Sequence, residues 1–394
     1  MTVRPVILAL AVAWAAVPPA GAAEPAPSSR STTASPSSAG AGTGSSQERW
    51  LFQGLADATY FDTDPGSALL SVNGGKGTGI GMLRLWGAGD LGGGVQAFAL
   101  GAVRNEPDYE GGEGRATDTA LEQGYLRYTA SGKARLMIEA GRLVTPVGDF
   151  SPRYLPSSNP LIGQPSDYSV TYPEGMKVQG WIGRFDMMGA VVNRPLSATW
   201  YAPVSDKDPR PMLSAGWTPI TGLRAGVFAT RGTYLGSDYE TSLAPGDAWR
   251  NYDQSIAGFE AKFSRAHFDF HGQYVSSSYE VPGLDRLARG RAYYVEPRYT
   301  FTPRLFGALR WERNDYPYIA PIFGTTWIAS NAEVSDIEAG VGMNILPDLT
   351  AKVSYRRDFW KVQEGLEDLL PDGHAFAAQL VYHFDVRGLI ERPR

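Results

Sequence analysis

The feature that most constrains this chain is a repetition. From Trp50 onward the sequence divides into stretches of roughly ten residues in which apolar and polar side chains alternate with period two, and turn residues separate each stretch from the next. Successive side chains of a strand point to opposite faces, so each stretch has one apolar and one polar face. Over 351–359, Val353, Tyr355 and Phe359 share one face, while Lys352, Ser354, Arg356 and Asp358 share the other. Over 337–345, Ile337, Ala339, Val341, Met343 and Ile345 oppose Glu338, Gly340, Gly342 and Asn344; over 304–313, Leu305, Leu309 and Trp311 oppose Arg304, Arg310 and Glu312. Sixteen such stretches can be marked, the thirteenth at 304–314 and the fourteenth at 333–345.

The connections between them alternate too. Short turns fall at 90–94, 130–133, 183–185, 219–222, 264–266, 302–303 and 346–348, with longer segments between. A soluble sandwich or propeller has no reason to alternate in this way, whereas a membrane barrel joins its strands by short turns on one side and long loops on the other. The expected fold is therefore all-β: a transmembrane antiparallel β-barrel of about sixteen strands over residues 49–385. The long loops are expected outside the cell, and the even strand count returns both chain ends to the periplasmic side.

Composition agrees. Mean hydropathy is slightly negative, as a wall of alternating lipid-facing and lumen-facing residues would average. No apolar run in the mature part reaches the roughly 18 residues of a helical span. The 46 Gly, 20 Tyr and 10 Trp suit turns and the aromatic girdles where a barrel meets the membrane interfaces. A net charge of −5 excludes a globally basic nucleic-acid binder. With no Cys, lipid attachment through a lipobox and a disulfide framework are both excluded.

Ahead of the barrel, Arg4, an apolar run from Val6 to Val17 and the small residues Ala20, Gly21, Ala22 and Ala23 read as a secretory signal peptide over 1–23. Residues 24–48, almost entirely Ala, Ser, Thr, Gly and Pro, read as a disordered leader. Residues 386–394 follow the last strand as a periplasmic tail.

The third long connection, Thr145 to Pro173, is the longest, and contains Gly148-Asp149-Phe150-Ser151-Pro152-Arg153-Tyr154-Leu155 and Asn159-Pro160-Leu161-Ile162-Gly163. Gly141-Arg142 precedes it, followed by Thr145-Pro146-Val147-Gly148. The final stretch is aromatic, with Phe376, Leu380, Tyr382 and Phe384 on one face. On these residues the chain resembles the bacterial outer-membrane porin superfamily, the sixteen-stranded general and phosphate-selective-type porins. The resemblance implies a long third extracellular loop folded into the lumen, with Asp149, Arg153, Tyr154 and Asp167 at the constriction. It implies that Phe376, Leu380, Tyr382 and Phe384 form the signal read by the barrel-assembly machinery, although these porins usually end at the terminal Phe. A homotrimer is a further implication.

With the apolar faces assigned to lipid, the basic residues facing the pore are Arg84, Arg127, Lys177, Arg224, Lys262, Arg298, Arg310, Lys352 and Arg356. The inward acids are Glu139, Glu260, Asp269, Glu296, Glu312, Glu338 and Asp358. A basic wall of Arg298, Arg310, Lys352 and Arg356 facing Asp149 and Asp167 would set up a transverse field; the alternative is that these side chains pair with one another across the lumen. Arg142 and Arg357 fall on the nominal lipid face, where their stems snorkel to an interface.

The four His are the natural place for an enzymatic constellation. His267, Asp269 and His271 fall at i, i+2 and i+4 of one strand face, which is sterically compatible with a metal, but no third strong ligand is evident and a polar lumen patch is the better reading. The Gly92-Gly93-Gly94 run sits in a hairpin with no following helix, which excludes a phosphate loop. The expected function is passive diffusion of small hydrophilic solutes or ions through a water-filled channel in the bacterial outer membrane, with a mild anion preference, no cofactor, no metal and no catalysis. Outer-membrane lipid and lipopolysaccharide are the expected surroundings. The alternative is a non-conducting barrel with a structural or adhesive role carried by its long acidic and aromatic loops.

Overall fold

The computed structural model describes residues 50–70, 74–107, 115–130, 135–166, 170–196, 208–361 and 371–386. The signal peptide, the leader and residues 387–394 of the tail lie outside the described residues, as does Asp167.

Sixteen strands form one closed antiparallel sheet in which every strand pairs with its neighbours in sequence. They are β1 (Trp50–Thr63), β2 (Gly75–Gly92), β3 (Val95–Pro107), β4 (Arg115–Ala130), β5 (Arg135–Arg142), β6 (Glu174–Ile182), β7 (Phe185–Val192), β8 (Arg210–Ile220), β9 (Leu223–Thr233), β10 (Asp253–Arg265), β11 (Phe268–Tyr279), β12 (Ala288–Thr300), β13 (Leu305–Phe323), β14 (Thr326–Leu346), β15 (Leu349–Lys361) and β16 (Gly373–Asp385). The cylinder closes where β1 pairs with β16, in a register running from Gln53 opposite Asp385 to Thr63 opposite Ala375. Closure leaves no free edge, the condition for crossing a membrane with strands. At the seam Phe384 lies flat on Gly54, where any Cβ would collide with the ring.

Alternation sets the two faces. Leu83, Leu85, Leu126, Leu213, Val227, Phe259, Leu309, Trp311, Val353 and Tyr355 are exposed on the outside. Arg84, Glu139, Glu260, Glu296, Arg310, Glu312, Glu338, Lys352 and Arg356, on the other parity, are buried inside. An outward apolar band around an inward charged face is the layout of a lipid-embedded barrel.

Two expectations need correction. The sequence reading ended the thirteenth strand at 314 and began the fourteenth at 333; instead β13 and β14 form one long hairpin closed at Gly324, with Pro317 opposite Asn331 and Pro321 opposite Trp327. Proline breaks a strand pattern because it has no N–H to donate. Here it is tolerated because pairing with β12 stops at Arg291 opposite Asp315, so beyond that point β13 has a neighbour on one side only. The second correction concerns the interior, which is not polar throughout. Met188, Ala190 and Val192 of β7, Met212 of β8, Phe228 of β9, Ile256 of β10, Val275 of β11 and Ala292 of β12 form a buried apolar cluster on the inner wall. Those strands carry apolar residues on both faces, and alternation alone does not reveal that pattern.

Candidate functional site

The described parts of the chain between β5 and β6, residues 143–166 and 170–173, make contacts with inward-facing side chains of the barrel strands. Its two stems are tied together: the Leu143 N–H donates to the Pro173 carbonyl at 2.8 Å and the Thr145 N–H to the Thr171 carbonyl at 2.9 Å, while the Thr145 and Thr171 hydroxyls meet at 3.1 Å. Val147 then inserts into the apolar cluster on β7–β12. On the far side Phe150, Tyr154, Leu155 and Val170 pack against Leu55, Trp86, Leu100 and Val381 from the inner faces of β1, β2, β3 and β16. A Pro-containing turn of 3-10 helix at Ser151–Arg153 carries the loop between these contacts.

Asp149 is fully buried and forms the first polar anchor. It accepts from the Tyr294 hydroxyl at 2.7 Å and from Arg153 Nη2 at 3.1 Å, pairs with Lys262 Nζ at 3.0 Å, and lies 2.9 Å from His271 Nδ1. Its own N–H donates to Gln273 Oε1 at 2.6 Å. Burial alone would raise the carboxyl pKa, but Lys262, Arg153 and His271 outweigh it and hold the group well below the usual carboxylate range. Arg153 bridges from Asp149 to Glu296 on β12.

The second anchor is a lattice on β12–β15. Register places Arg310 opposite Glu338 and Glu338 opposite Arg356, with Glu312 opposite Asp336 and Asp336 opposite Asp358 one step further along. Arg310 pairs with Glu296 and, at 3.4 Å, with Glu338; Arg356 reaches Glu312 at 3.1 Å, Asp336 at 2.9 Å and Asp358 at 2.9 Å. The loop docks into this lattice through its backbone. Glu338 accepts from the Ile162 and Gly163 N–H groups at 3.2 and 2.9 Å, and Glu312 accepts from the Ser166 N–H at 2.9 Å. Arg310 donates to the Gly163 carbonyl at 2.8 Å. Lys352 donates to three loop carbonyls, those of Pro156, Asn159 and Leu161, at 2.9, 3.1 and 3.0 Å. At Gly163 a Cβ would press on the Glu338 carboxylate, so close approach of the backbone requires glycine.

The remaining basic residues assigned to the lumen are also inside, and most are paired. Arg127 and Lys177 share Glu139, at 2.7 and 2.5 Å. Arg224 lies between Asp186, at 2.6 Å, and Glu260. Arg298 stacks over the Phe306 ring at 4.5 Å. Of the two readings of the basic wall, pairing holds for Arg310 and Arg356, which meet carboxylates on β12–β15, while Lys352 bonds loop carbonyls and Arg298 stacks on Phe306, and the loop contributes Arg153 as well as Asp149. Of the residues proposed for assembly, Phe376, Leu380 and Tyr382 are exposed on the outside of β16.

Opposite the lattice the loop stands off the wall. A cavity of about 140 Å³ lies between Tyr154, Pro156, Asn159, Ile162 and Gln164 of the loop and Asp57, Thr59, Arg84, Arg104, Glu106 and Gln379 of the barrel. Arg84 donates through Nε to Glu122 at 2.9 Å, and its guanidinium lies 5.6 Å from the Tyr154 ring centroid. The Tyr154 hydroxyl donates to the same carboxylate at 3.1 Å. Asp57, Arg104, Glu106, Glu122 and Gln379 were not singled out from sequence. Asp57 falls on the inner parity of its strand with Leu55 and Thr59 and could have been found there; Glu122 could not, because a register shift at Leu100/Gly101 moves it to the inner face.

No protein-family model matches the sequence, and no curated protein matches it. Solved structures do. OmpF of Salmonella typhi, solved as a complex with daunomycin, superposes with a TM-score of 0.58 at 12% identity, covering 85% of this chain and 97% of that one. An anion-selective porin from Comamonas acidovorans gives 0.56 at 12% identity, with 85% and 99% covered. In-vitro folded OmpT, an outer-membrane protein of Vibrio cholerae in its trimer form, gives 0.51 at 10% identity, with 85% and 99% covered. At these identities the likeness is one of fold: this chain has the barrel fold of a porin over most of its length.

Proposed function

We propose that the protein is an outer-membrane channel through which small hydrophilic solutes diffuse passively, with the loop 143–173 setting the free cross-section. One observation carries this reading: a closed barrel with an apolar exterior and a charged interior, with a cavity inside it lined by both charged and apolar side chains. The neighbouring folds support it, one of them described as an anion-selective porin. Selection between anions and cations is expected to be weak, because most inward guanidinium and ammonium groups have a carboxylate partner. Export through a signal peptide, recognition of β16 by the assembly machinery, a lipopolysaccharide environment and a homotrimer belong to the same proposal. No catalysis is invoked.

A second reading has its own support. The loop is bonded to the wall on β10–β15 and packed by apolar side chains against β1–β3 and β16, as a permanent plug would be. Single-channel recording of the refolded protein in a planar bilayer under a salt gradient separates the two. Stable open steps with a reversal potential near zero are the expected result; a folded, inserted and silent barrel would overturn the channel in favour of the structural role.

A further inference from the structure

Most charged groups inside this barrel are ion-paired. The buried side-chain atoms left without a hydrogen-bond partner among the described residues are spread over several places, Arg210, Arg298, Asn314 and Asp336 among them, but four lie together around one cavity: Asp57 Oδ1, Arg84 Nη1, Glu106 Oε2 and Gln379 Oε1. Asp57, Arg84 and Gln379 are each more than nine-tenths buried. Leaving such groups unpaired is costly, about 1–3 kcal/mol each and more where the group is charged, so a native structure that keeps four together has something else to bond them.

The geometry assigns the cavity as a binding site for a small zwitterion of the amino-acid class, a solute with one ammonium and one carboxylate. The inference deepens the channel reading, in which the lumen delivers solute to this space. Its chemistry follows from what the neighbours leave over. Arg84 is fixed by the bond from Nε to Glu122 and by the Tyr154 ring, so that Nη1 remains as a donor, 3.6 Å from Asp57 Oδ1 and too far to bond it. Arg104 engages one oxygen of Glu106 at 3.4 Å, and the other oxygen remains as an acceptor.

The site thus offers one cationic donor, two carboxylate acceptors and one amide acceptor. A carboxylate fits the donor, and an ammonium, with three N–H groups, fits the acceptors. An anion alone would meet two carboxylates and a cation alone two guanidiniums, while a neutral polyol would make only the weaker uncharged bonds. The space has room for several waters or for one solute of amino-acid size.

The test is equilibrium dialysis of the refolded full-length protein in detergent micelles against radiolabelled serine, with radiolabelled glycerol as the uncharged control of similar size. Conductance is recorded on the same preparation. Saturable serine binding is expected, with none for glycerol. Asp57→Asn and Glu106→Gln are each expected to weaken it about tenfold, the effect of losing roughly one charge-assisted hydrogen bond. Heat-modifiable migration on gels verifies that each variant is folded. Absence of saturable serine binding, equal uptake of glycerol, or undiminished binding in both variants would overturn the assignment and leave water as the partner of the four atoms. Serine binding by a barrel that passes no current upholds the site and sinks the channel, and current without serine binding does the reverse.

Discussion

The two walls of this lumen use charge in opposite ways. On β12–β15, Arg310 and Arg356 lie between Glu296, Glu338, Glu312, Asp336 and Asp358, all essentially inaccessible, and loop backbone groups take up capacity that remains on Glu312, Glu338 and Lys352. On β1–β3, a similar set of residue types, Asp57, Arg84, Arg104 and Glu106, is spaced so that each acid–base contact is partial and a cavity opens among them. The first wall holds a loop. The second meets the loop through apolar side chains and leaves a cavity beside it. An inward-pointing charge is thus not by itself part of a field that a solute feels; it becomes so only when its neighbours leave bonding capacity unused.

Breaking the ion-paired wall is expected to have the largest effect. Arg310→Met removes the counter-ion of two buried carboxylates, Glu296 and Glu338, a loss of about 3–5 kcal/mol. It should appear as a lower temperature for loss of the folded band in gel electrophoresis, and a variant as heat-resistant as the parent would contradict the pairing. Next comes Lys352→Met, which strands three loop carbonyls at about 2–3 kcal/mol and should raise single-channel conductance as residues 156–161 come loose.

Gly163→Ala tests the same contact sterically. The added methyl presses on the Glu338 carboxylate and comes within 2.9 Å of Leu69 Cδ1, at a cost of about 1–2 kcal/mol. A conductance rise smaller than that of Lys352→Met is expected, and an unchanged trace would mean that the loop backbone stands further from β14 than described. The smallest effect is a null. The Asp149 pKa is lowered in the folded protein, so its contribution is complete above the unfolded carboxylate pKa of about 4 and is lost only as pH falls toward the lower folded value. The stability difference between the parent and Asp149→Asn should therefore be the same at pH 7 and pH 4.5, and a difference that shrinks within that interval would show that Lys262 and Arg153 do not hold the carboxylate ionised.

Much of the barrel was legible because alternation is local: Lys352, Ser354, Arg356 and Asp358 declare a common face within a single strand. What alternation cannot convey is who sits opposite whom. That Arg310 meets Glu338, and that Glu338 then meets Arg356, depends on the stagger of β13, β14 and β15, so arginines that read as a basic wall from the sequence lie beside carboxylates once the strands pair. The hairpin beyond Asp315 was hidden by Pro317 and Pro321, whose exclusion from strands lapses where a strand has one neighbour. The cavity was hidden for a third reason. Glu122 turns inward only through an irregularity in the β3–β4 pairing, and loop residues such as Tyr154 and Asn159 follow no periodicity.

The seam between β1 and β16 has a consequence for the order of events during assembly. Gln53 waits for Asp385, and the loop at 143–173 waits for Lys262, Glu296, Arg310, Glu338 and Lys352, all of which emerge later in synthesis. Contacts of such long sequence separation are slow to form. Until they do, the half-built wall has two raw margins that any extended chain could extend. One late pairing event therefore completes the cylinder and withdraws both margins at once.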